Sequence, residues 1–526
     1  MSEKYEVIVV GAGHNGLLAA AYLAKAGVKV VLVERLDYVG GGVVTRDGLA
    51  APGFKTDICS VVHGMIQANP LIVNDELGLL SKYGLKYIFP DPQIIVHYDD
   101  GSYIKIFKDI DKTCESIAQF SEKDASAYRK FHDWSQKILD LITVGLFSPP
   151  PPFPHFMSVL YESEEGRELA RSMMISPLNI IDSFFENEKV RILATRWASE
   201  VGIKPQSMGT GLVLFLMIPL LHKYGWGLAL GGSGSLSEAI KESLLENGGI
   251  VKLSSPVKKF KVEGGECNGV VLESGEEIIA SKAVVANLHV KQIFNQMLSE
   301  NELPTGFQDR VSKILPSDFS TFVLGLALNK RPGFKASEEF DQALSVEFSP
   351  TSMVDYLRYF DELSYGSYPK MHPYLSCVSL HDKSRAPEGK HTMSIGTYAP
   401  YNLRDGGAKK WDEIREQTAE RLLDYMRQHM TNLEEEDIVG KHIMSPLDLE
   451  RHNPAMMYGD FGTIGAHLHQ TAGNRPLPAW NYRTPVTKLY MCGASCHPGG
   501  SVIGGGRAAV QVVMEDLGID FEEVVS

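Results

Sequence analysis

The residues of this chain best suited to chemistry are Gly11, Gly13 and Gly16, which match G-x-G-x-x-G directly after an apolar run at residues 7–10. The run predicts a buried parallel strand, and apolar residues at helical spacing over 17–24 predict a helix after the glycines. Gly11 permits a tight turn, Gly13 lets the backbone approach a pyrophosphate, and Gly16 lets the helix pack closely on the strand. Free N–H groups at the helix start attract a diphosphate. The arrangement predicts a dinucleotide site.

An acidic residue at the expected distance supports that prediction. Glu34 follows Gly16 by 18 residues and comes directly after a second apolar run at 28–33. A carboxylate about 20 residues after the glycines is placed to bind the ribose hydroxyls of a dinucleotide. Asn15, within the glycine loop, and Arg35, beside Glu34, belong to the same predicted cofactor-binding segment.

A second group of glycines indicates which dinucleotide binds. Gly40, Gly41 and Gly42 follow Arg35 closely, whereas a nicotinamide-binding unit would normally continue into another helix. Glycines let the backbone return across the diphosphate and touch it. Here the chain resembles the large flavoprotein superfamily that includes amine oxidases and phytoene desaturases. The resemblance implies FAD, rather than NAD, as the cofactor.

A glycine-rich segment around residue 500 narrows the resemblance. A strand predicted over 488–492 leads into a glycine loop at 493–506 and then into a helix ending near Leu517. Such a loop suits a second oxygen-rich part of the cofactor, its ribityl chain and flavin ring. With residues 475–485 before it, this segment resembles the phytoene desaturase family, including its carotenoid desaturase, ketolase and retinol saturase-like relatives.

The second loop supplies further predicted cofactor contacts, namely Gly493, His497, Gly500 and Val502. The resemblance also implies that a strand around Val257 brings its backbone to the adenine. His497 is expected to shape the loop or touch the flavin rather than to act as a base.

The chain departs from the superfamily pattern at several positions. Gly42 or Val43 stands where an arginine usually follows the paired glycines, so one phosphate contact is lost or supplied elsewhere. Cys59 replaces a glycine that often follows the acidic residue, here Asp57, by two positions. Departures near a substrate pocket weaken inferences about the substrate more than inferences about the cofactor.

The predicted fold class is α/β, with a Rossmann-type FAD-binding domain and a discontinuous substrate domain of mixed sheet and helices. Residues 1–75, 228–295 and 475–526 are expected to form the FAD-binding domain, and residues 76–227 and 296–474 the substrate or cap domain. Helices are expected over 110–144 and through most of 156–227, with the proline run at 149–152 as an extended connector.

Composition excludes several classes of function. The formal net charge of −14 argues against nucleic-acid binding, which needs clustered Lys and Arg. No apolar run reaches the 18 or more residues of a membrane span, because the longest, 211–221, is short and contains Pro219. The six scattered cysteines predict reduced thiols, no metal site is predicted, and no secretory signal is visible. The expected location is cytoplasmic, with peripheral contact to a membrane left open.

These features predict an FAD-dependent dehydrogenase, or desaturase, of a small lipophilic substrate that is isoprenoid-like or alicyclic. Hydride would pass to flavin N5, and electrons would then leave to a quinone, oxygen or a protein. A flavin-dependent saturase or redox-neutral isomerase of a lipophilic alkene is one alternative, and a non-catalytic flavin-binding protein is another. The catalytic residues are unknown from sequence, with His63, Tyr458 and His467 as weak candidates and Asp460 beside them. The oligomeric state stays open.

Overall fold

The computed structural model describes residues 3–368 and 370–526 of the 526-residue chain. Its strands, in chain order, are β1 Glu3–Val10, β2 Val30–Val33, β3 Thr45–Asp47, β4 Lys55–Asp57, β5 Tyr87–Ile88, β6 Ile94–Tyr98, β7 Tyr103–Ile106, β8 Leu228–Ala229, β9 Ile250–Lys252, β10 Val257–Glu263, β11 Glu266–Leu272, β12 Glu277–Ala286, β13 Ser320–Leu328, β14 Gly333–Phe334, β15 Ser345–Ser349, β16 Tyr374–Ser376, β17 His391–Ala399, β18 Met430–Thr431, β19 Ile438–Met444 and β20 Leu489–Met491.

The helices are α1 His14–Lys25, α2 Pro70–Val73, α3 Ile110–Ala118, α4 Glu122–Phe147, α5 Phe153–Leu160, α6 Glu164–Met174, α7 Pro177–Phe184, α8 Glu188–Ser199, α9 Leu212–Tyr224, α10 Gly234–Glu246, α11 Val290–Gln292, α12 Phe307–Ser312, α13 Met353–Ser364, α14 Val378–His381, α15 Trp411–His429, α16 Pro446–His452, α17 Gly506–Leu517 and α18 Phe521–Val525. None of the helices in the described residues combines the length and apolarity needed to cross a membrane.

The first sheet has the order β10-β11-β12-β1-β2-β9. Its centre is parallel, because β1 pairs in parallel with β2 and with β12. The last strand, β20, pairs in parallel with the end of β12, beside the segment that β11 occupies. Residues 7–10 are buried on both faces, as expected for a central parallel strand covered by helices. Helix α1 packs against α10 and α17.

The second sheet has the order β19-β13-β17-β16-β15-β6-β7. It is antiparallel except at β15 and β6. The helices α8, α9, α13 and α15 contribute to its apolar core. The strands of the first sheet come from residues 3–33, 250–286 and 489–491, and those of the second from 94–106 and 320–444. The division into two domains as such stays a prediction.

The helical structure expected over 110–144 is present as two helices, α3 and α4, separated by residues 119–121. Ser121 caps α4 by accepting a hydrogen bond from Asp124 N. The Asp124 carboxylate is buried and accepts from the backbone N–H groups of Glu186 and Asn187. The cap at Ser121 and the contact of Asp124 with the 186–187 loop therefore fix the start of α4, and the two helices are separate.

Candidate functional site

The first glycine loop joins β1 to α1. Gly11 has a φ of +94°, a conformation that only glycine adopts easily. A Cβ on Gly16 would lie 2.1 Å from the Gly11 carbonyl oxygen, so the helix meets the loop at backbone distance. Within the described residues, no side chain caps α1, whose N-cap is Gly13. The amide groups at this helix start are therefore left to a ligand.

The second glycine group lies directly against the first. Gly40 N donates a hydrogen bond to Ala12 O at 2.8 Å, and Gly40 forms a parallel bridge with Gly13. A Cβ on Gly41, whose φ is +61°, would come within 3.0 Å of the Gly13 Cα. The chain thus returns across the glycine loop with backbone facing backbone. A side chain on Gly41 would collide with the facing backbone of Gly13.

Glu34 lies at the end of β2, beside the same loop. Its Oε2 accepts from Ala12 N at 2.7 Å and its Oε1 accepts from Leu36 N at 2.9 Å. The carboxylate is half-buried, so lone pairs remain for ribose hydroxyls. Arg35 is exposed and donates to the backbone oxygen of His452. It fixes the end of α16 against the cofactor loop.

The glycine loop near residue 500 closes onto the first one. Gly506 N donates to Asn15 Oδ1 at 3.2 Å, and a Cβ on Gly506 would lie 2.1 Å from Asn15 O. In the same loop, a Cβ on Gly500 would lie 2.5 Å from the Gly462 Cα. Two loops separated by most of the chain are therefore in direct contact.

Asn287 holds both loops, and the sequence analysis did not select it. Its Nδ2 donates to Gly11 O at 3.1 Å and, more weakly, to Gly13 O at 3.3 Å. A Cβ on Gly493 would lie 2.9 Å from its Oδ1. Asn287 follows β12, the parallel neighbour of β1. The available signal was its place at the carboxyl end of a parallel strand, where ligands bind in open α/β sheets.

Three other predicted cofactor contacts are Gly42, Val257 and Val502. Gly42 O accepts from Ser60 N, and a Cβ on Gly42 would meet the methyl group of Met456 at 2.8 Å. Val257 begins β10, paired with Leu272. Val502 is buried.

His497 is buried in the second loop, and its Nε2 lies 2.8 Å from Gly145 O. Burial lowers the pKa of His497 to about 4, so the ring is neutral near pH 7. A neutral ring bonded to backbone shapes the loop.

A buried ion pair holds the end of the β3–β4 hairpin. Arg385 donates to Asp57 Oδ2 at 2.6 Å, and both side chains are at most 2% exposed. Asp57 Oδ1 in turn accepts from Thr45 Oγ1 and from Ser233 N, at 2.5 and 3.0 Å. Asp57 thus ties the β3–β4 hairpin to the start of α10 through Ser233, while Arg385 balances its charge.

The weak catalytic candidates lie in three separate environments. His63 is fully buried, and its ring nitrogens lie 2.8 Å from Tyr87 Oη and from Ser233 Oγ. Tyr458 is 36% exposed, with φ of +63° and the Lys291 ammonium over its ring. The structure gives His63 structural partners and places Tyr458 at the surface. Their catalytic assignment stays a prediction.

His467 and Asp460 lie in the segment that packs against the second loop. His467 stacks on His469, and its Nε2 lies 3.2 Å from Pro316 O. Asp460 is buried and accepts from Ser317 N and Gly462 N, at 2.7 and 2.8 Å. Burial raises the pKa of Asp460. Both residues therefore hold a turn, and a catalytic role for His467 stays untested.

Several ionisable side chains are surrounded by protein yet keep an accessible fraction, among them His14, Cys59, Glu200 and Tyr374. Burial lowers the pKa of His14 to about 4 and raises those of Cys59 and Tyr374 to about 12. His14, Cys59 and Tyr374 are therefore uncharged at neutral pH, as expected for side chains removed from water.

His14 begins α1, and its Nε2 is buried without a hydrogen-bond partner in the part of the chain that the structure describes. An unpaired buried nitrogen beside the glycine loop fits a bound polar group. All six cysteines are free thiols. Within residues 3–368 and 370–526, no group of three or more His, Cys, Asp or Glu side chains could hold a metal ion.

The chain matches one protein family over most of its length, and it is similar to several known proteins over nearly the full length of both chains. The family described as flavin containing amine oxidoreductase matches residues 16–513. Pyridine nucleotide-disulfide oxidoreductase domain-containing protein 2 of Rattus norvegicus is 29% identical, over 98% of this chain and 94% of its own. A limonene dehydrogenase polypeptide of Castellaniella defragrans is 27% identical, over 99% and 96%. Phytoene desaturase (lycopene-forming) of Pantoea ananas is 26% identical, over 97% and 99%.

Solved structures share the fold. An oxidoreductase from Methanosarcina mazei superposes with a TM-score of 0.62 at 17% identity, covering 97% of this chain and all of its own. Cyclohexylamine oxidase from Brevibacterium oxydans gives a TM-score of 0.60 at 17% identity, covering 98% and 99%. At such identity the likeness establishes the fold alone, and it confirms the predicted α/β class.

Proposed function

The chain belongs to the flavin-containing amine oxidoreductase family, and from that premise we propose that it dehydrogenates a lipophilic, isoprenoid-like or alicyclic substrate. Family membership makes it an FAD-dependent oxidoreductase. The resemblance to phytoene desaturases and the prediction of FAD are thereby confirmed. The substrate, the reaction and the residues that hold the cofactor are the proposal.

The clasp formed by the two glycine loops fits FAD. Gly13 and Gly41 leave a backbone surface without side chains, and the uncapped start of α1 offers N–H groups to the diphosphate. Glu34 would bind the adenosine ribose. His14 has an unpaired buried nitrogen that suits a polar atom of the cofactor. These are the residues that would hold it in place.

One observation carries the proposed substrate class. Next to the glycine loops, His14 begins α1 and Cys59 lies against Gly42, and both side chains are uncharged at pH 7, because burial lowers the pKa of His14 to about 4 and raises that of Cys59 to about 12. Half-buried apolar side chains on neighbouring elements, among them Val61, Val62 and Trp226, belong to one apolar cluster. Such surroundings favour an apolar molecule over a charged amine. Two relatives take their names from limonene and phytoene, which are hydrocarbons.

Bound FAD supplies hydride acceptance at N5 from an activated or allylic C–H. The protein binds the substrate against the cofactor, orients the C–H bond and excludes water. Electrons then leave to a quinone, oxygen or a partner protein.

Anaerobic mixing of the purified holoenzyme tests the proposal. Limonene or phytoene should bleach the visible absorption of the bound flavin, while cyclohexylamine should leave it unchanged. Bleaching by the amine alone would refute the substrate class. Restored colour on adding a quinone, compared with adding oxygen, would identify the class of acceptor.

The direction of the reaction is tested with the same material. Product that forms only after chemical reduction of the flavin would favour a saturase or a redox-neutral isomerase. A protein that binds FAD but responds to none of these hydrocarbons in either redox state would contradict the proposed activity.

A further inference from the structure

Glu200 presents one unpaired carboxylate oxygen to internal space. It follows α8 as its C-cap, and its Oε1 accepts a hydrogen bond from Tyr398 Oη in β17 at 3.0 Å. Among the described residues, no group bonds its Oε2, and this atom is not among the fully enclosed polar atoms that lack partners. The Glu200 side chain is surrounded by protein atoms, yet part of its surface remains accessible. Its Oε2 therefore faces a space that another molecule can enter.

The neighbouring carboxylate differs from Glu200 in having its own cation. Glu347 pairs with Arg196, which also makes a long contact with Phe348 O at 3.4 Å. Both side chains of the pair are at most 7% exposed, so no molecule reaches them. Arg196 bonds Glu347 through its Nε, and Glu200 makes no ion pair with a cation among the described residues. Glu200 is therefore the carboxylate of the two that is left to exchange a proton.

The chain just after Glu200 lies against a segment that contacts the second cofactor loop. Gly202, two residues later, is so close to Phe461 that a Cβ would lie 3.2 Å from its ring. Gly462, the next residue after Phe461, lies against Gly500 at backbone distance. Glu200 is thus separated from the loop predicted to hold the flavin ring by one short segment.

We propose that Glu200 is the proton acceptor of the substrate cavity, with Tyr398 holding its carboxylate in place. The proposal rests on the proposed dehydrogenation. One carbon of the substrate loses hydride to the FAD cofactor, and the adjacent carbon loses a proton to Glu200 Oε2. The electron pair of that second C–H bond becomes the new π bond. The Glu200 proton passes to water, and a quinone or oxygen reoxidises the cofactor.

The environment of Glu200 sets the pH at which it can act. Burial raises its pKa to about 7, and the negative charge of Glu347 adds to that effect. Arg196 and the Tyr398 hydroxyl oppose it, while Tyr356 in α13 and Tyr374 in β16 face it as neutral phenols. The ionised form, which is the base, therefore grows as pH rises through about 7. A base with a pKa near the working pH is effective.

Stopped-flow reduction of the bound flavin by limonene or phytoene, whichever bleaches it, tests the role. E200Q should slow reduction by about 100-fold or more, with little change in KM and with the rise around pH 7 lost. Y398F removes a donor to the carboxylate, so the same rise should move to higher pH. E186Q, at an exposed pair with Lys123, is the matched control and should behave like the natural protein.

Infrared spectroscopy of the holoenzyme supplies a readout that needs no substrate. A protonated carboxyl band should disappear between about pH 6 and 8 as Glu200 ionises, and E200Q should lack this change. The proposal would be overturned if E200Q still lost a carboxyl band between about pH 6 and 8, or if its rate and pH profile were like those of E186Q. If no hydrocarbon bleaches the flavin, the proposed function fails, and the infrared titration still decides whether Glu200 ionises as a base must.

Discussion

Arg507 and Glu76 form a buried ion pair that fastens α17, the helix after the second cofactor loop. Arg507 Nε and Nη2 lie 2.7 and 2.6 Å from the two Glu76 oxygens, and Nη1 donates to Phe147 O at 3.0 Å. The two side chains are 9% and 3% exposed. Tyr22 Oη also donates to Glu76, at 2.5 Å. Replacing Arg507 with methionine would leave the Glu76 carboxylate buried without its cation, with Tyr22 as its remaining side-chain donor, and would remove one of the two donors to the Phe147 carbonyl.

The expected cost is large. Removing one partner of a buried ion pair costs about 3–5 kcal/mol, because the remaining charge stays desolvated. Unfolding entropy is about 2 cal/mol/K per residue, or about 1.1 kcal/mol/K for 526 residues unfolding together. Arg507→Met should therefore lower the temperature of unfolding by about 3–5 °C.

Heating the holoenzyme while following flavin fluorescence measures this shift, since released flavin is no longer quenched by the protein. Arg483→Met is the matched control, because Arg483 pairs with exposed carboxylates of Glu515 and Asp516, and such pairs contribute about 0–1 kcal/mol. Adding Glu76→Gln to Arg507→Met should cost less than the sum of the two single changes. The reasoning is refuted if Arg507→Met shifts the transition no further than Arg483→Met does.

Three further changes test the cofactor clasp and its surroundings. Gly13→Leu should abolish flavin retention, because its side chain would meet Asn287, whose Nδ2 lies 2.9 Å from the Cβ position. The visible absorbance of the purified protein measures flavin retention, and a fully yellow protein would contradict the loop assignment. Glu34→Ala removes the acceptor of Ala12 N and the expected ribose contact, so the FAD dissociation constant should rise by about 10–100-fold in a titration of apoprotein. An unchanged dissociation constant would show that Glu34 does not bind the cofactor. Burial lowers the pKa of His63 to about 3, so its contribution to stability is fully present above about pH 6.5 and is lost as pH falls toward 3. His63→Gln should therefore flatten the acid side of a plot of unfolding temperature against pH. An unaltered slope would show that His63 does not cause the loss of stability in acid.

The first glycine loop and its flanking elements could be predicted because their signals are local. The apolar run of β1, the glycine spacing and the acid after β2 lie within residues 7–34 and fix one βαβ geometry. The same holds for β20 and α17, where a short strand, glycines and a helix follow one another. The family and the cofactor follow from these segments.

The rest depended on contacts between distant residues. Asn287 has no local signature, and its role arises because β12 lies beside β1. Nothing in the local sequence distinguishes Glu200 from the other acidic residues. Its environment depends on Tyr398, which β17 places beside it, and on the ion pair between Glu347 and Arg196. The sequence around His63 did not separate a substrate contact from a core histidine, and the hydrogen bonds of its ring to Tyr87 and Ser233 depend on distant residues. Such neighbours are set by tertiary packing, which periodicity and spacing do not encode.

The hydrogen bond from Gly506 to Asn15 joins residues 491 positions apart. A ribosome that makes about 5–20 residues per second therefore exposes the early nucleotide-binding turn for on the order of a minute before its counterpart is synthesised. During that interval β1 and α1 exist without β20 or α17, whose apolar faces complete their core. Insertion of FAD is thus expected to follow translation rather than accompany it, and its capture would mark the moment at which the nascent polypeptide acquires its final topology.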